Sequence, residues 1–446
     1  MKKTYGNLLF CLLFALLCIL PLAGMLLLGP SKAGANEVLA NKPTLIEKNG
    51  SVNVEYLSDL GKYVRDRFGF RQELITANAK LTAAVFGESA TEKVILGEDG
   101  WLYYTDTLAD YEGTSEMTDR QVWNASRTLF LMEEYAKNRG ISFVFAAVPN
   151  KNTLYFEQMP YEKGRKTSNM ERIQWALEAE NVAFCDLFAV LSAQSEPVYY
   201  KTDSHWDGFG SALAHDSILK TLGREGNLAE EAFIDAPHRG DLTDMLYPAS
   251  DDMETGPVLN RERTFAYKGN VRGPDDMTIR TTSETGTGSL LMFRDSFGNT
   301  LHADLAESFS AACFSRAMPY DLTLLEKEQA DTLIVEIVER NLIWLAQKAP
   351  LMEAPVRELV IPAEAAAGSA AWEAEDSKLE NCKKYTGEVR CEEMDTDSPI
   401  YVAMDGVVYE ATPAGERDHS FTLYAPAAET VTVLVQCGGQ WKQING

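Results

Sequence analysis

Ser296, Asp203 and His205 are the residues of this chain whose types and spacing could together transfer an acyl group. Acyl transfer through a serine needs a hydroxyl, a base to take its proton, and a carboxylate that holds the base in the right tautomer. It also needs hydrogen-bond donors where the oxyanion develops. Ser296 stands in Leu291-Met292-Phe293-Arg294-Asp295-Ser296-Phe297-Gly298, an apolar run entering a turn, with helix-like sequence after it. A serine at the end of a parallel strand lies at the carboxyl edge of the sheet, where open α/β folds bind ligands. N–H groups at the start of the following helix can face an oxyanion. By itself Ser296 would read as a helix N-cap. Asp203 and His205 stand in Thr202-Asp203-Ser204-His205-Trp206. In an extended segment residues two apart project to the same side, so the carboxylate can reach Nδ1 and leave Nε2 for Ser296. By itself that pair would read as a surface-loop feature; coupled to the serine turn it reads as catalytic. Of the other four histidines, His215 fits a packed or exposed helix position, and His302 and His419 fit structural ones. His238, in Pro237-His238-Arg239-Gly240, could touch a substrate. No Cys-x-x-Cys pair or His/Cys cluster has zinc-ligand spacing, so neither metal nor cofactor is expected.

The elements that must position these residues alternate strand and helix from Lys93 onward. Val94–Leu96 and Trp101–Tyr104 read as short strands about the turn Gly97-Glu98-Asp99-Gly100, with Trp101 in the core. Thr118 to Arg139 reads as a helix, with Thr118 and Gln121 as a capping box and Gly140 as its stop. Ile141–Val148, Val182–Cys185, Leu290–Phe293 and Thr332–Ile337 are apolar runs of the kind buried parallel strands have. Helices over 171–180 and 210–222 fall among them. Strands alternating with helices of this length predict a three-layer α/β/α domain with a mostly parallel sheet. The stretch from about Arg224 to Thr287 is polar, dotted with Gly and Pro and poorly periodic, and reads as a long excursion at the rim of the site. A small-residue stretch, Ala363 to Ala371, reads as linker. Beyond it Ile400–Met404, Val407–Glu410, His419–Tyr424 and Thr430–Cys437 alternate as strands of a small β-sandwich-like module.

The N-terminus sets the compartment. Lys2 and Lys3 precede an uncharged run from Leu8 to Leu28, long enough to cross ~30 Å of hydrocarbon. Lysines before it and an acidic chain after it place the bulk of the protein on the extracytoplasmic side of a cytoplasmic membrane, held by one helix. A cleaved signal with Ala33-Gly34-Ala35 as its site is the rival reading; the run is longer than a signal core needs. From Tyr56 to Phe68 and from Leu74 to Val85, apolar residues recur at helical spacing, as two amphipathic helices leading from the membrane. The organisation expected is therefore an anchor over 1–35, a helical membrane-proximal segment over 36–92, the catalytic domain over 93–355, a linker over 356–384 and the β-rich module over 385–446. At 446 residues with 45% hydrophobic side chains the chain is globular and multi-domain. Its net charge of -25 argues against nucleic acid or anionic lipid as a partner surface. Of seven cysteines, Cys382 and Cys391 could close a small loop, though spacing does not establish it.

Taken in order, Gly97-Glu98-Asp99-Gly100-Trp101-Leu102-Tyr103-Tyr104, Pro149-Asn150-Lys151, Tyr200-Lys201-Thr202-Asp203-Ser204-His205-Trp206, Arg294-Asp295-Ser296-Phe297 and Val338-Glu339-Arg340-Asn341-Leu342 resemble the DHHW family. They are similar to the SGNH-hydrolase-like domain of the alginate O-acetylation proteins. The resemblance covers residues 36 to 350. It implies Asp203 as orienter, His205 as base and Ser296 as acyl-carrying nucleophile, in anchored or exported proteins that move acetyl groups onto exopolysaccharides. Two departures stand out: Ser204 replaces a second histidine common in that family, and Arg294 stands where esterases of the SGNH type have glycine. The chain order, Asp and His before Ser, is the reverse of ordinary SGNH esterases; geometry defines a triad, not order. Around the triad, Asn150 or Lys151 could donate to an oxyanion or a sugar hydroxyl, or cap a loop. Trp206 could stack on a sugar ring or wall the pocket. Arg294 and Arg340 could each hold a uronate or acetate oxygen, or pair with a nearby carboxylate. The reading is an extracytoplasmic O-acyltransferase for an exopolysaccharide or cell-wall glycan. Acetyl-CoA is absent outside the membrane, so this reading implies a multi-pass membrane acyltransferase as acetyl donor. A carbohydrate esterase and a non-catalytic polysaccharide-binding envelope protein are the alternatives.

Overall fold

A computed structural model describes residues 2–34, 37–48, 50–164 and 167–444. A seven-stranded sheet forms the centre, in the order Phe184–Cys185, Ser142–Val148, Thr332–Val338, Ser289–Phe293, Ala311–Ser315, Thr278–Ser283 and Phe265–Tyr267. The first five strands are parallel; Thr278–Ser283 pairs antiparallel with Ala311–Ser315, and Phe265–Tyr267 antiparallel with Thr278–Ser283. Side chains alternate between two cores as a pleated strand requires. Phe143, Phe145, Leu291, Phe293, Leu333 and Val335 face the layer containing helices Asp119–Lys137 and Asn169–Glu180. Val144, Ala146, Leu290, Met292 and Ile334 face the layer containing Gly208–Thr221 and Gly298–Ser308. Strand Thr332–Val338 is buried along its whole length, so both faces must be apolar, and its sequence is correspondingly a continuous hydrophobic run. The exception is Glu336. Thr118 and Gln121 form the reciprocal cap of the helix Asp119–Lys137.

The region from 224 to 287 is not featureless. It contains the hairpin Phe233–His238/Glu254–Leu259, the short helix Asp241–Leu246 and the two antiparallel strands that extend the sheet. In Thr278–Ser283 the buried positions are Ile279, Thr281 and Ser283. Two of the three inward residues are polar, so the period-2 signal vanishes from the sequence. Ala311–Ser315 is likewise too rich in small residues to announce itself, although it lies inside the parallel sheet.

An apolar helix, Lys2–Leu28, is long enough to cross a membrane and leaves Leu8, Phe10, Leu12 and Phe14 exposed. Ala35 of the alternative cleavage site lies outside the described residues. Helices Tyr56–Arg67 and Arg71–Phe86 follow, but residues 37–55 are not helical where described: Pro43 and Gly50 (φ +87°) interrupt them.

The C-terminal module packs a three-stranded antiparallel sheet (Ser369–Asp376, Lys383–Arg390, Ser420–Ala425) on a four-stranded one (Val407–Glu410, Tyr401–Met404, Val431–Cys437, Gln440–Ile444). Tyr385, Phe421 and Leu423 meet Val402, Val433 and Val435 between them. The stretch 356–384 is therefore not simply a linker. Its strand Ser369–Asp376 is an exposed edge strand of Ala and acidic residues, types depleted in strands, which hid it. Cys391 faces Cys437, Sγ to Sγ 3.8 Å, not Cys382. The module docks on the helix Asp119–Lys137: Arg120 donates to the carbonyls of Thr396 and Ser398, and Arg127 and Arg357 converge on fully buried Glu410.

Candidate active site

Ser296 follows the strand Ser289–Phe293 at its carboxyl end and precedes the helix Gly298–Ser308. Asp203 and His205 sit in a tight turn between the paired residues Tyr199 and Trp206. His205 Nε2 lies 2.9 Å from Ser296 Oγ, and His205 Nδ1 lies 2.7 Å from Asp203 Oδ1. Ser296 and His205 line an open cleft of about 480 Å³ with Asp203, Tyr104, Asp241, Asn299, Arg316 and Arg340. Asp203 is buried, and burial alone would raise its pKa. Hydrogen bonds from His205 and His238 outweigh that and hold the carboxyl well below its ordinary range. For His205, burial pulls the pKa down, but Asp203 and Asp241 overcome it and leave the imidazole more basic than usual.

The same hydrogen-bond pattern occurs a second time, with a different surrounding. His215 Nδ1 lies 2.8 Å from Asp216 and its Nε2 2.7 Å from Ser308 Oγ. Ser308, however, is the last residue of its helix, where carbonyl oxygens rather than N–H groups are exposed, and a developing oxyanion would be repelled. Ser296 stands at the opposite end of that helix, on its donor side. The ligand atoms of Asp203, His205 and Asp241 lie within 4.8 Å of one another. Both nitrogens of His205 are already committed to Asp203 and Ser296, which leaves no lone pair for an ion.

Several residues expected to touch substrate are instead buried braces. Lys151 is 4% exposed, and its Nζ donates to the carbonyls of Leu102, Lys201 and Asp203 at 2.6, 2.7 and 2.8 Å. Burial lowers its pKa to about 7, against the pull of Asp203, Glu254 and Asp241. All three ammonium protons are used, so none is left for an oxyanion. Asn150 has no exposure; its amide donates to Asp110 and its N–H to Glu339. Trp206 is 1% exposed and meets Phe297 edge to face, so it cannot stack on a sugar. Arg294 is buried under Gly298 and donates to the Asn299 side chain and to the carbonyls of Asp295, Pro274 and Asp276. Burial, with Arg316 nearby, lowers its pKa to about 10. Of the four cationic and polar supports read from sequence beside Trp206, Arg340 alone lines the cleft. Its guanidinium lies against the rings of Tyr104 and Phe297 and makes no ion pair among the described residues.

Replacing Lys151 by Met should cost the fold about 3 kcal/mol or more, because three buried carbonyls lose their donor. Urea denaturation of the variant measures this; an unchanged midpoint would mean that water or a relaxed backbone takes the place of the ammonium.

Beneath the serine, Asp295 accepts the N–H groups of Phe297 and Val338, fastening the turn to the neighbouring strand. Glu336, fully buried in that strand, accepts the N–H of Asp295. Burial and the Asp295 charge push its pKa well above the ordinary carboxylate range.

Sequence reading missed Asp241. Its carboxylate accepts both the N–H and the hydroxyl of Ser204, each at 2.7 Å, and its own N–H donates to Asp203 Oδ2 at 3.0 Å. Ser204 thus fastens the turn that carries Asp203 and His205. No short-range pattern links positions 204 and 241, which are brought together only by the fold.

A mostly parallel sheet with a serine at its carboxyl edge, hydrogen-bonded to a His–Asp turn, makes this an α/β domain similar to SGNH hydrolase-like domains. Residues 94–277 match the family model described as the SGNH hydrolase-like domain of the acetyltransferase AlgX; the match includes Asp203 and His205 and ends before Ser296. Curated relatives include the probable alginate O-acetylase AlgJ of Pseudomonas putida, 26% identical over 188 residues (37% of this chain, 48% of that protein). The protein of the same name from Pseudomonas syringae pv. tomato is 28% identical over 199 residues (41% of this chain, 49% of that one). The aligned region spans about half the length of these relatives. A DHHW family protein from Eubacterium siraeum is similar in structure over 49% of this chain and 86% of its own, with 16% identity and a TM-score of 0.40. The resemblance drawn from the motifs to the alginate O-acetylation proteins is thus matched by a family model and by curated relatives.

Proposed function

We propose that this chain is an O-acyltransferase that moves an acetyl group onto a hydroxyl of an exopolysaccharide or cell-wall glycan. The observation that carries the reading is the unbroken hydrogen-bond chain Ser296–His205–Asp203 opening on a cleft. His205 takes the hydroxyl proton as Ser296 Oγ attacks the donor's acyl carbon, and Asp203 stabilises the imidazolium. N–H groups at the start of the helix Gly298–Ser308 stand on the side where the oxyanion forms. Collapse of the tetrahedral intermediate expels the donor's alcohol, which takes the proton from His205, and leaves acetyl-Ser296. His205 then deprotonates a sugar hydroxyl, which attacks the acyl-serine; Ser296 Oγ leaves, taking that proton back from His205, and the acetylated sugar is released. Arg340 lines the cleft without an ion-pair partner among the described residues, which supports reading it as the group that meets a sugar or acyl oxygen. The apolar helix Lys2–Leu28 fits a single-pass anchor, with the remaining chain outside the cytoplasmic membrane and a multi-pass acyltransferase supplying acetyl.

The same cleft is open and admits water, which favours carbohydrate ester hydrolysis as the second reading. Incubation with a chromogenic acetyl ester and candidate oligosaccharides separates the two. Acetylated sugar is the expected product, with an acetyl adduct on Ser296 by mass spectrometry. Free acetate alone would favour the esterase, and neither turnover nor adduct would sink both.

A further inference from the structure

Asp203 carries a second imidazole that the triad does not use. His238 Nε2 lies 2.9 Å from Asp203 Oδ2, on the opposite side of the carboxylate from His205. Its ring stacks on Tyr200, centroid to centroid 3.8 Å at 11°. We infer that His238 is a positioning residue for Asp203: its N–H orients the carboxylate and takes up part of its charge, which tempers the basicity of His205. The inference rests on reading Asp203, His205 and Ser296 as the reacting unit.

The surrounding architecture is specific to this contact. Asp203 Oδ1 accepts from the backbone N–H and from Nδ1 of His205, and Oδ2 accepts from His238 and the Asp241 N–H, so the two oxygens are shared evenly. His238 ends the strand Phe233–His238, whose partner strand presents Glu254 opposite it. Glu254 in turn accepts the N–H groups of Lys201 and Thr202, which ties the hairpin to the catalytic turn. Two glycines make the approach possible. A Cβ on Gly240 would collide with the Thr202 carbonyl, and one on Gly256 would collide with the Tyr200 ring. The groups facing His205 are Asp203 and Asp241, which favour its cation, and Arg340, which opposes it. Asp203, Tyr200 and Glu254 face His238.

A carboxylate relieved of one donor holds more charge for the other. Without the His238 N–H, the His205 imidazolium is therefore stabilised further and its titration moves to higher pH. The general base must be neutral to act, so the acidic limb of the kcat/KM profile moves the same way. Three variants of the full-length protein in detergent test this. His238→Phe keeps the ring on Tyr200 and removes the donor, His238→Ala removes both, and His238→Gln replaces Nε2 with an amide donor. With histidine-selective 15N labelling and the His205 signal assigned by its loss in His205→Gln, the His205 midpoint should rise in the Phe and Ala variants and return in Gln. Ester turnover should fall about tenfold in kcat with KM unchanged, far less than loss of a triad member. An unmoved His205 midpoint in His238→Phe overturns the inference whether or not the protein turns over ester. A moved midpoint in a protein whose wild type neither turns over ester nor acquires an adduct keeps the contact and removes the proposed function instead.

Discussion

Ser296→Ala is expected to lower ester turnover by about a millionfold in kcat, to abolish the acyl adduct, and to leave the fold intact. In the proposed reaction the hydroxyl is the nucleophile, whereas the turn that carries it is held by other groups. Asp295 accepts the N–H groups of Phe297 and Val338, Arg294 ties Asn299 to the loop at 274–276, and Phe297 is buried among Tyr199, His205 and Trp206. None of these contacts involves Ser296 Oγ, whose partner is His205. Thermal unfolding of the variant should therefore match wild type, and active-site titration with an acylating reagent should find no reactive site. Residual turnover within about tenfold of wild type would mean that another nucleophile, or water activated directly by His205, carries the reaction.

Asp203→Asn should have the next largest effect, about ten-thousandfold in kcat, with a measurable loss of stability. An amide has one acceptor and one donor side, but each oxygen of Asp203 receives a fixed backbone N–H, from His205 on one side and Asp241 on the other. Whichever way the amide turns, its NH2 meets a backbone donor. If it faces His205, the imidazole is driven into the tautomer that presents N–H to Ser296 and cannot accept the proton. The clash of donors should cost about 1–3 kcal/mol. The pH dependence follows from the depressed pKa of Asp203: its stabilisation is present above the ordinary aspartate range and is lost as pH falls through the folded value. Denaturation midpoints across an acid pH series should consequently fall less steeply for the Asp203→Asn variant than for wild type. A variant with wild-type kcat would show that the carboxylate does not orient the base.

Continuous apolar runs such as those at 142–148 and 332–338 were legible because a strand covered on both faces tolerates almost nothing else. The strands at 278–283, 311–315 and 369–376 were not, since polar, small or acidic residues fill them. Ser296, Asp203 and His205 were legible as candidates from local spacing and an ordered resemblance, and the structure joins them by hydrogen bonds. Asn150, Lys151, Trp206 and Arg294 were legible as residues near the site but not as braces, because a polar or aromatic side chain beside a catalytic turn looks the same in sequence whether it faces the cleft or lies beneath it.

By itself, then, the sequence determined the apolar N-terminal helix, the α/β class and the candidate chemistry, since each is written in periodicity or in residues a few positions apart. Tertiary structure decided which side chains reach the cleft and which are consumed by buried carbonyls. It also brought His238 and Asp241 onto Asp203 from 35 and 38 residues away. Those pairings depend on loop closure and on the space left by Gly240 and Gly256, and no local pattern encodes distance between loops.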